Sequence, residues 1–241
     1  MPLIRKIQKT RIYALLATIL YVIMTPACYG QITSSDRKLI LVDNIKQYKK
    51  LVNSKPSYKL VLLYHYLQPF KTKIYYRTTE NFTGRVLYHK HQLYLNLEAA
   101  KKLAAVQDSL IKIGYNLLIF DCYRPYFITK RMWKVVPDER YTANPAKGSG
   151  HNRGIAIDLS LVNIKIGNPV LMPTEFDNFS DSAHHNFMEL PAEAIENRQL
   201  LRSIMAHFGF ISLSTEWWHY SLPNPTDYPI YNLNFNQLSE K

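Results

Sequence analysis

Cysteine is nearly absent: the 241 residues hold two, Cys28 and Cys122. Two thiols cannot make a disulfide framework, and without a CxxC pair no thiolate metal site of the usual spacing is expected. Acids are missing from the start of the chain, with none before Asp36. The most apolar stretch, Ile12 to Met24, runs for about 13 residues. A bilayer-spanning helix needs roughly 20. There is no block of Lys and Arg, no internal repeat and no low-complexity tract. A nucleic-acid partner is therefore not expected.

What is present suits a folded protein. Hydrophobic residues make up 47% and charged residues 20%, a globular balance, and the length fits one domain with a sizeable core. The formal net charge is +12. Such a surplus could favour an anionic wall or membrane surface, although a solvated basic face is the plainer account. Four of the positives, Arg5, Lys6, Lys9 and Arg11, precede the apolar stretch, and Thr25-Pro26-Ala27 follows it. Basic, then apolar, then small is the pattern of a secretory signal. Residues 1–28 are expected to be a signal peptide, with export to the periplasm or cell envelope; a retained anchor is the alternative. Thr25-Pro26-Ala27-Cys28 is also a degenerate lipoprotein cleavage site, with Thr25 where Leu is usual. Lipid anchoring through Cys28 is left open.

Residues 29–57 read as an N-terminal extension with one short helix, and 58–241 as the main domain. Val61 to Tyr64 and Ile74 to Tyr76 are β-branched and aromatic, hence strand-like. Asn96 is a good N-cap for a helix with Leu97, Ala100, Leu103, Ala104 and Leu110 on one face, and Gly114 suits its end. Tyr115 to Phe120 reads as a buried strand, stopped by Arg124-Pro125. Phe127 to Val136 predicts a helix, and Ile155 to Leu161 a strand. Pro191 opens another helix, which stops at Gly209. Phe210 to Leu213 and Trp217 to Tyr220 predict the last strands. Strands and helices mix without βαβ alternation. That argues a single α+β domain with a largely antiparallel central sheet flanked by helices, and a metal site at the sheet.

The chemistry concentrates in Ser149-Gly150-His151-Asn152-Arg153-Gly154-Ile155-Ala156-Ile157-Asp158 and Glu216-Trp217-Trp218-His219. Two imidazoles and an aspartate can hold Zn²⁺, and a glutamate is left to move protons. On that reading His151, Asp158 and His219 are the ligands of one zinc ion per chain. Gly154 and Ala156 are small, which lets the backbone approach the metal. Glu216 lies three residues before His219, and on a strand those positions face opposite sides. Glu216 is therefore expected in the turn just before the strand. Arg124 is placed to stabilise an oxyanion. The spacing alone is a weak signal. His65, His89, His91, His184, His185 and His207 are expected at the surface, in the core or in support, and Trp217 and Trp218 in the core. Asn81-Phe82-Thr83 and Asn178-Phe179-Ser180 fit the glycosylation pattern, which is common by chance.

These pieces, with Asn81-Phe82-Thr83-Gly84, Asp121-Cys122-Tyr123-Arg124-Pro125, Met172 to Asp177 and Asn197-Arg198 through Gly209-Phe210, resemble the M15 metallopeptidases. Within them, the EWWHY form and the loop from Asp177 to His184-His185 are similar to the D-alanyl-D-alanine dipeptidases of the VanX type. The likeness covers roughly residues 60 to 222. It implies His151, Asp158 and His219 as zinc ligands, Glu216 as catalytic base and Arg124 as transition-state stabiliser. It further implies that Ser149 helps hold the substrate carboxylate and that Asp177 pairs with the free amino group of a small D-Ala-D-Ala substrate. A longer peptide would leave Asp177 unpaired, which is costly. The sequence departs at Cys122, where Gly is usual and a side chain could crowd Arg124, and at Ala183, where Ser is common. Two other readings stand beside this one. One is a D,D-carboxypeptidase or endopeptidase acting on peptidoglycan stem peptides; the other is a non-catalytic zinc-stabilised wall-binding module.

Overall fold

The computed structural model describes residues 39–90 and 92–239. The expected signal segment, Cys28 and His91 lie outside them. Of the expected extension 29–57, residues 39–57 fall within the compact unit Leu39–Lys241. Strand β1 (Leu41–Val42) pairs in parallel with a strand close to the C-terminus, Leu41 against Ile230 and Val42 against Tyr231. Helix α1 (Ile45–Ser54) follows, and the Asn44 side chain caps it by accepting from the Gln47 N–H. Its buried Tyr48 accepts from the Leu60 N–H at 2.9 Å and donates to the Leu60 carbonyl at 3.3 Å. The short helix expected here is present. It is fastened to the domain because Val42 and Tyr48 are apolar surface that only the domain can bury.

Strand β2 (Leu60–Leu62) pairs with β4 (Tyr94–Asn96), and β3 (Lys71–Thr72) edges the main sheet. The expected strand at Ile74 to Tyr76 is instead a 3₁₀ turn over Tyr75–Arg77. Burial of its two rings outweighs their β-propensity: Tyr75 packs edge-on to Phe120 and Tyr76 is enclosed. Helix α2 (Leu97–Lys112) starts where Asn96 caps it, its side chain accepting from the Glu98 N–H, and Gly114 ends it at φ 85. Strand β5 (Tyr115–Asp121) and helix α3 (Tyr126–Val135) come next.

Strand β6 (Ala156–Asn163) is buried along all but its last residue. Both its faces are covered, so even its polar Asp158 and Ser160 are buried. Helix α4 (Ala192–His207) ends before Gly209, which has φ 83. Strands β7 (Ile211–Ser212) and β8 (His219–Ser221) are shorter than expected. Trp217 and Trp218 lie in the turn ahead of β8 as buried core side chains. Strand β9 (Ile230–Tyr231) and helix α5 (Phe235–Ser239) close the domain.

The main sheet has the order β3-β5-β6-β8-β7, antiparallel except for the β3–β5 edge. Helix α2 packs against β5, α4 against β6, and the two helices touch. Side chains alternate along each strand. Asp158, Ser160 and His219 therefore share one face, while Leu159, Leu161 and Tyr220 share the other. Tyr220 lies near Arg198 and Arg202 of α4, so the helices cover its side. The α+β, largely antiparallel architecture read from the sequence is the one observed.

Candidate active site

One row across the sheet carries the chemistry. Asp121 of β5 pairs with Asp158 of β6, and Asp158 pairs with His219 of β8. A β-bulge creates half of this row. Ile119 stands opposite Leu159, yet Asp121 rather than Phe120 stands opposite Asp158. The extra residue turns the end of β5 by one position and re-aims Asp121 at the site. Without it, Asp121 would sit one pair further on, on the helix side.

His151 reaches this row from a 3₁₀ turn, His151–Arg153, closed by Gly154 at φ 66. Gly154 is required for a reason other than metal approach: a Cβ there would strike Leu60 and press the Asn96 backbone. Gly150 lacks a side chain because the Ala156 methyl lies against it; a Cβ at Gly150 would come within 2.9 Å of that methyl. The His151 Nδ1 donates to the Cys122 carbonyl at 2.7 Å, which leaves Nε2 facing inward. Nε2 lies 3.2 Å from His219 Nδ1 and 3.2 Å from Asp158 Oδ2, and His219 Nδ1 lies 2.9 Å from Asp158 Oδ1.

Two tests ask whether this triangle fits a cation. Ligands about 2.05 Å from a tetrahedral Zn²⁺ stand about 3.3 Å apart; the two imidazole nitrogens are 3.2 Å apart, and each lies within 3.2 Å of a different oxygen of Asp158. The second test is charge. Asp121, Asp158, Asp177 and Glu216 lie in and around the cluster, with the Arg124 guanidinium among them. Burial pushes the Asp121 and Asp177 carboxyls above their ordinary range, against the pull of Arg124. Burial also pushes Glu216 up to about 7. Asp158 is buried too, but the charge and hydrogen bonds of the two imidazoles hold it low. Burial opposes the charged form of His219, yet its hydrogen bond and charge partner Asp158 hold its pKa up. The pocket is short of positive charge, and a divalent cation at the triangle would offset the deficit.

Arg124 is held rigidly. Its Nε donates to Asp121 Oδ2 at 2.9 Å, a second nitrogen lies 2.8 Å from the same oxygen, and its guanidinium sits 5.2 Å over the Tyr76 ring. Tyr88 also donates to Asp121, at 3.0 Å. Cys122 does not crowd Arg124; its side chain is wholly buried in the hydrophobic core, and the site uses its carbonyl. Asp177 has φ 59, and the Tyr76 hydroxyl donates to both its oxygens at 2.9 and 3.1 Å. The Ser149 hydroxyl accepts from the His151 N–H at 3.2 Å. Buried Asn152 ties the loops together. It accepts from the Ser149 N–H and donates to the Arg124 carbonyl and to Thr129 Oγ1. Glu216 sits in the turn before β8, as its spacing requires, 4.0 Å from His219 Nδ1.

All seven residues singled out in the sequence (Arg124, Ser149, His151, Asp158, Asp177, Glu216 and His219) line one cavity of about 460 Å³. Among the described residues, the three that could hold a metal ion are His151, Asp158 and His219. His185 is buried elsewhere beside Tyr220, and His184 is partly exposed near Asp181. Sequence reasoning missed Tyr76 and Asn152. Asn152 is inside the His151 motif and could have been read as a brace. Nothing local marks Tyr76.

A three-donor pocket with a carboxylate to spare, across the inner strands of a mixed sheet, has the donor set of a metallopeptidase site. The chain belongs to the M15 peptidases: that family's model, described as D-ala-D-ala dipeptidase, matches residues 57–239. A D-alanyl-D-alanine dipeptidase of Escherichia coli (strain K12) is 36% identical over 155 residues, covering 64% of this chain and 80% of that protein. One from Enterococcus faecium is 32% identical over 176 residues, covering 64% of this chain and 87% of that protein. Among solved structures, a D,D-pentapeptidase of vancomycin resistance in complex with Zn(II) is 16% identical, with a TM-score of 0.36, over 57% of this chain and 77% of that one.

Proposed function

We propose that the protein hydrolyses the D-Ala-D-Ala dipeptide to two D-alanines in cell-wall peptide metabolism, as a zinc metallo-dipeptidase. One observation carries this reading. A buried carboxylate, Asp177, lines the same cavity as the His151, Asp158 and His219 triangle, held by Tyr76 as a receptor for an ammonium. His151 Nε2, Asp158 and His219 Nδ1 would hold one Zn²⁺, which when bound polarises a carbonyl and lowers the pKa of water toward ~7.

The chain's own residues do the rest. Asp177 pairs with the free amino group and Ser149 with the carboxylate end, which orients the scissile bond. Glu216 takes a proton from the attacking water and passes it to the leaving amine. A carboxyl raised by burial suits that exchange, and a cation beside it would bring it back down. Arg124, fixed by Asp121 and Tyr76, donates to the carbonyl oxygen as it becomes anionic. The basic and apolar segment ahead of Cys28 supports action in the periplasm or envelope, with lipid anchoring at Cys28 as a variant of that reading.

The rival on the same framework is a D,D-carboxypeptidase or endopeptidase, and substrate length separates the two. Free D-alanine should appear from D-Ala-D-Ala, cease with a chelator and return with Zn²⁺. Release from a pentapeptide ending in D-Ala-D-Ala, with the dipeptide untouched, would overturn the dipeptidase reading.

A further inference from the structure

The cavity is bounded beyond Asp177 by rings that the chemistry above does not use. Tyr141, from the loop after α3, stacks on Phe179 at 4.7 Å with the planes 24° apart. Phe82, from a third loop, meets Phe179 edge-on at 5.3 Å and Tyr76 at 6.4 Å. Tyr76 in turn holds Asp177, two residues before Phe179. A line of four rings thus joins three loops across the amino-group end of the cavity. Tyr141 and Phe82 line the main cavity. A second cavity of about 100 Å³ adjoins the stack, lined in part by Tyr141, Asn178, Phe179, Asp181 and His184. Both cavities share Arg140, Tyr141, Thr215 and Glu216 as a wall.

We infer that the Tyr141–Phe179 stack is a specificity determinant that limits the substrate on its amino side. This rests on the dipeptidase reading. With an ammonium at Asp177, a further residue on the amino side would run toward Tyr141 in the cavity wall and the Phe179 ring stacked on it. Tyr141 lines both cavities and Phe179 the smaller one, so the stacked rings fill space next to the site that an extended peptide would need. Asp177 selects by charge, whereas the stack selects by length. The two can be changed separately, because neither Tyr141 nor Phe179 holds the Asp177 carboxylate.

The test uses the full chain loaded with Zn²⁺, in four forms: wild type, Tyr141→Ala, Phe179→Ala and Tyr141→Phe. Each is assayed for kcat and KM on D-Ala-D-Ala and on a tripeptide ending in D-Ala-D-Ala. Either alanine variant should raise the tripeptide-to-dipeptide ratio of kcat/KM at least tenfold, with the tripeptide gain seen in KM. Tyr141→Phe keeps the ring and should keep the wild-type ratio. An unchanged ratio in both alanine variants, with dipeptide still cleaved, overturns the inference; so does a Tyr141→Phe ratio that rises as far as that of Tyr141→Ala. If an alanine variant does not fold, Phe179→Leu narrows the stack while keeping apolar bulk, and should move the ratio the same way; no movement overturns the inference. Wild type that ignores D-Ala-D-Ala refutes the dipeptidase reading instead, a separate result.

Discussion

At the scale of single residues, two carboxylates in one cavity are set for different work. Glu216 is pushed to about 7 by burial and has to be ionised to accept a proton. Activity should therefore rise with pH along an acid limb between about 4.5 and about 7, since a cation beside it lowers the value. Glu216→Gln should keep its metal content while kcat falls by about 10²–10⁴; metal analysis beside a pH–rate profile checks both. Asp177 is raised by burial and by the charge of Asp158. A carboxyl whose folded pKa exceeds its unfolded value contributes stability that is fully present below the unfolded pKa and is lost as pH rises through the folded pKa, so the ionised form of Asp177 works against the fold. Asp177→Asn should raise the melting temperature by about 2–4 °C for each kcal/mol recovered, and should raise KM for the dipeptide. A fall in both quantities would contradict the role given to Asp177.

Among the elements, the most exposed to failure is the loop from Ser149 to Gly154. Asn152 is buried and bridges it to the end of β5 and to α3. Asn152→Ala strands up to three buried partners at about 1–3 kcal/mol each. The expected loss is roughly 3 kcal/mol or more in thermal unfolding, with kcat/KM reduced because Ser149 and Arg124 lose their brace. Helix ends were legible in the sequence at this scale: Asn96, Gly114, Pro191 and Gly209 mark them by residue type. The bulge at Phe120 was not legible, since no residue there demands it; the pairing of β5 with β6 imposes it. The ligand motif was readable because His151 and Asp158 are close in sequence. Tyr76 was not, because its partner Asp177 is distant and Tyr76 sits in a segment that reads as a strand.

For the molecule as a whole, the N-terminal residues matter more than their polar composition suggests. Val42 and Tyr48 are buried, each worth about 1.5–3 kcal/mol, and β1 is the partner of β9. A chain starting at residue 58 should melt on the order of 10 °C below one starting at residue 39, and differential scanning calorimetry of the two decides the point. The sequence concealed this because β9 and α5 lie in a segment rich in Pro and Asn, without periodicity to announce a partner for β1.

The row Asp121–Asp158–His219 has a consequence for how the protein comes into being. Its members come from strands far apart in the chain, and loops that long close slowly. Helices α2 and α4 can form from local contacts, but the triangle of donors exists only once β5, β6 and β8 are in register. Metal capture is then a late event in folding. In stopped-flow refolding, the signal of a zinc-sensitive dye should trail the recovery of helical circular dichroism. A chain still partly folded would be inert toward peptides around it, and would gain activity in the step that completes its sheet.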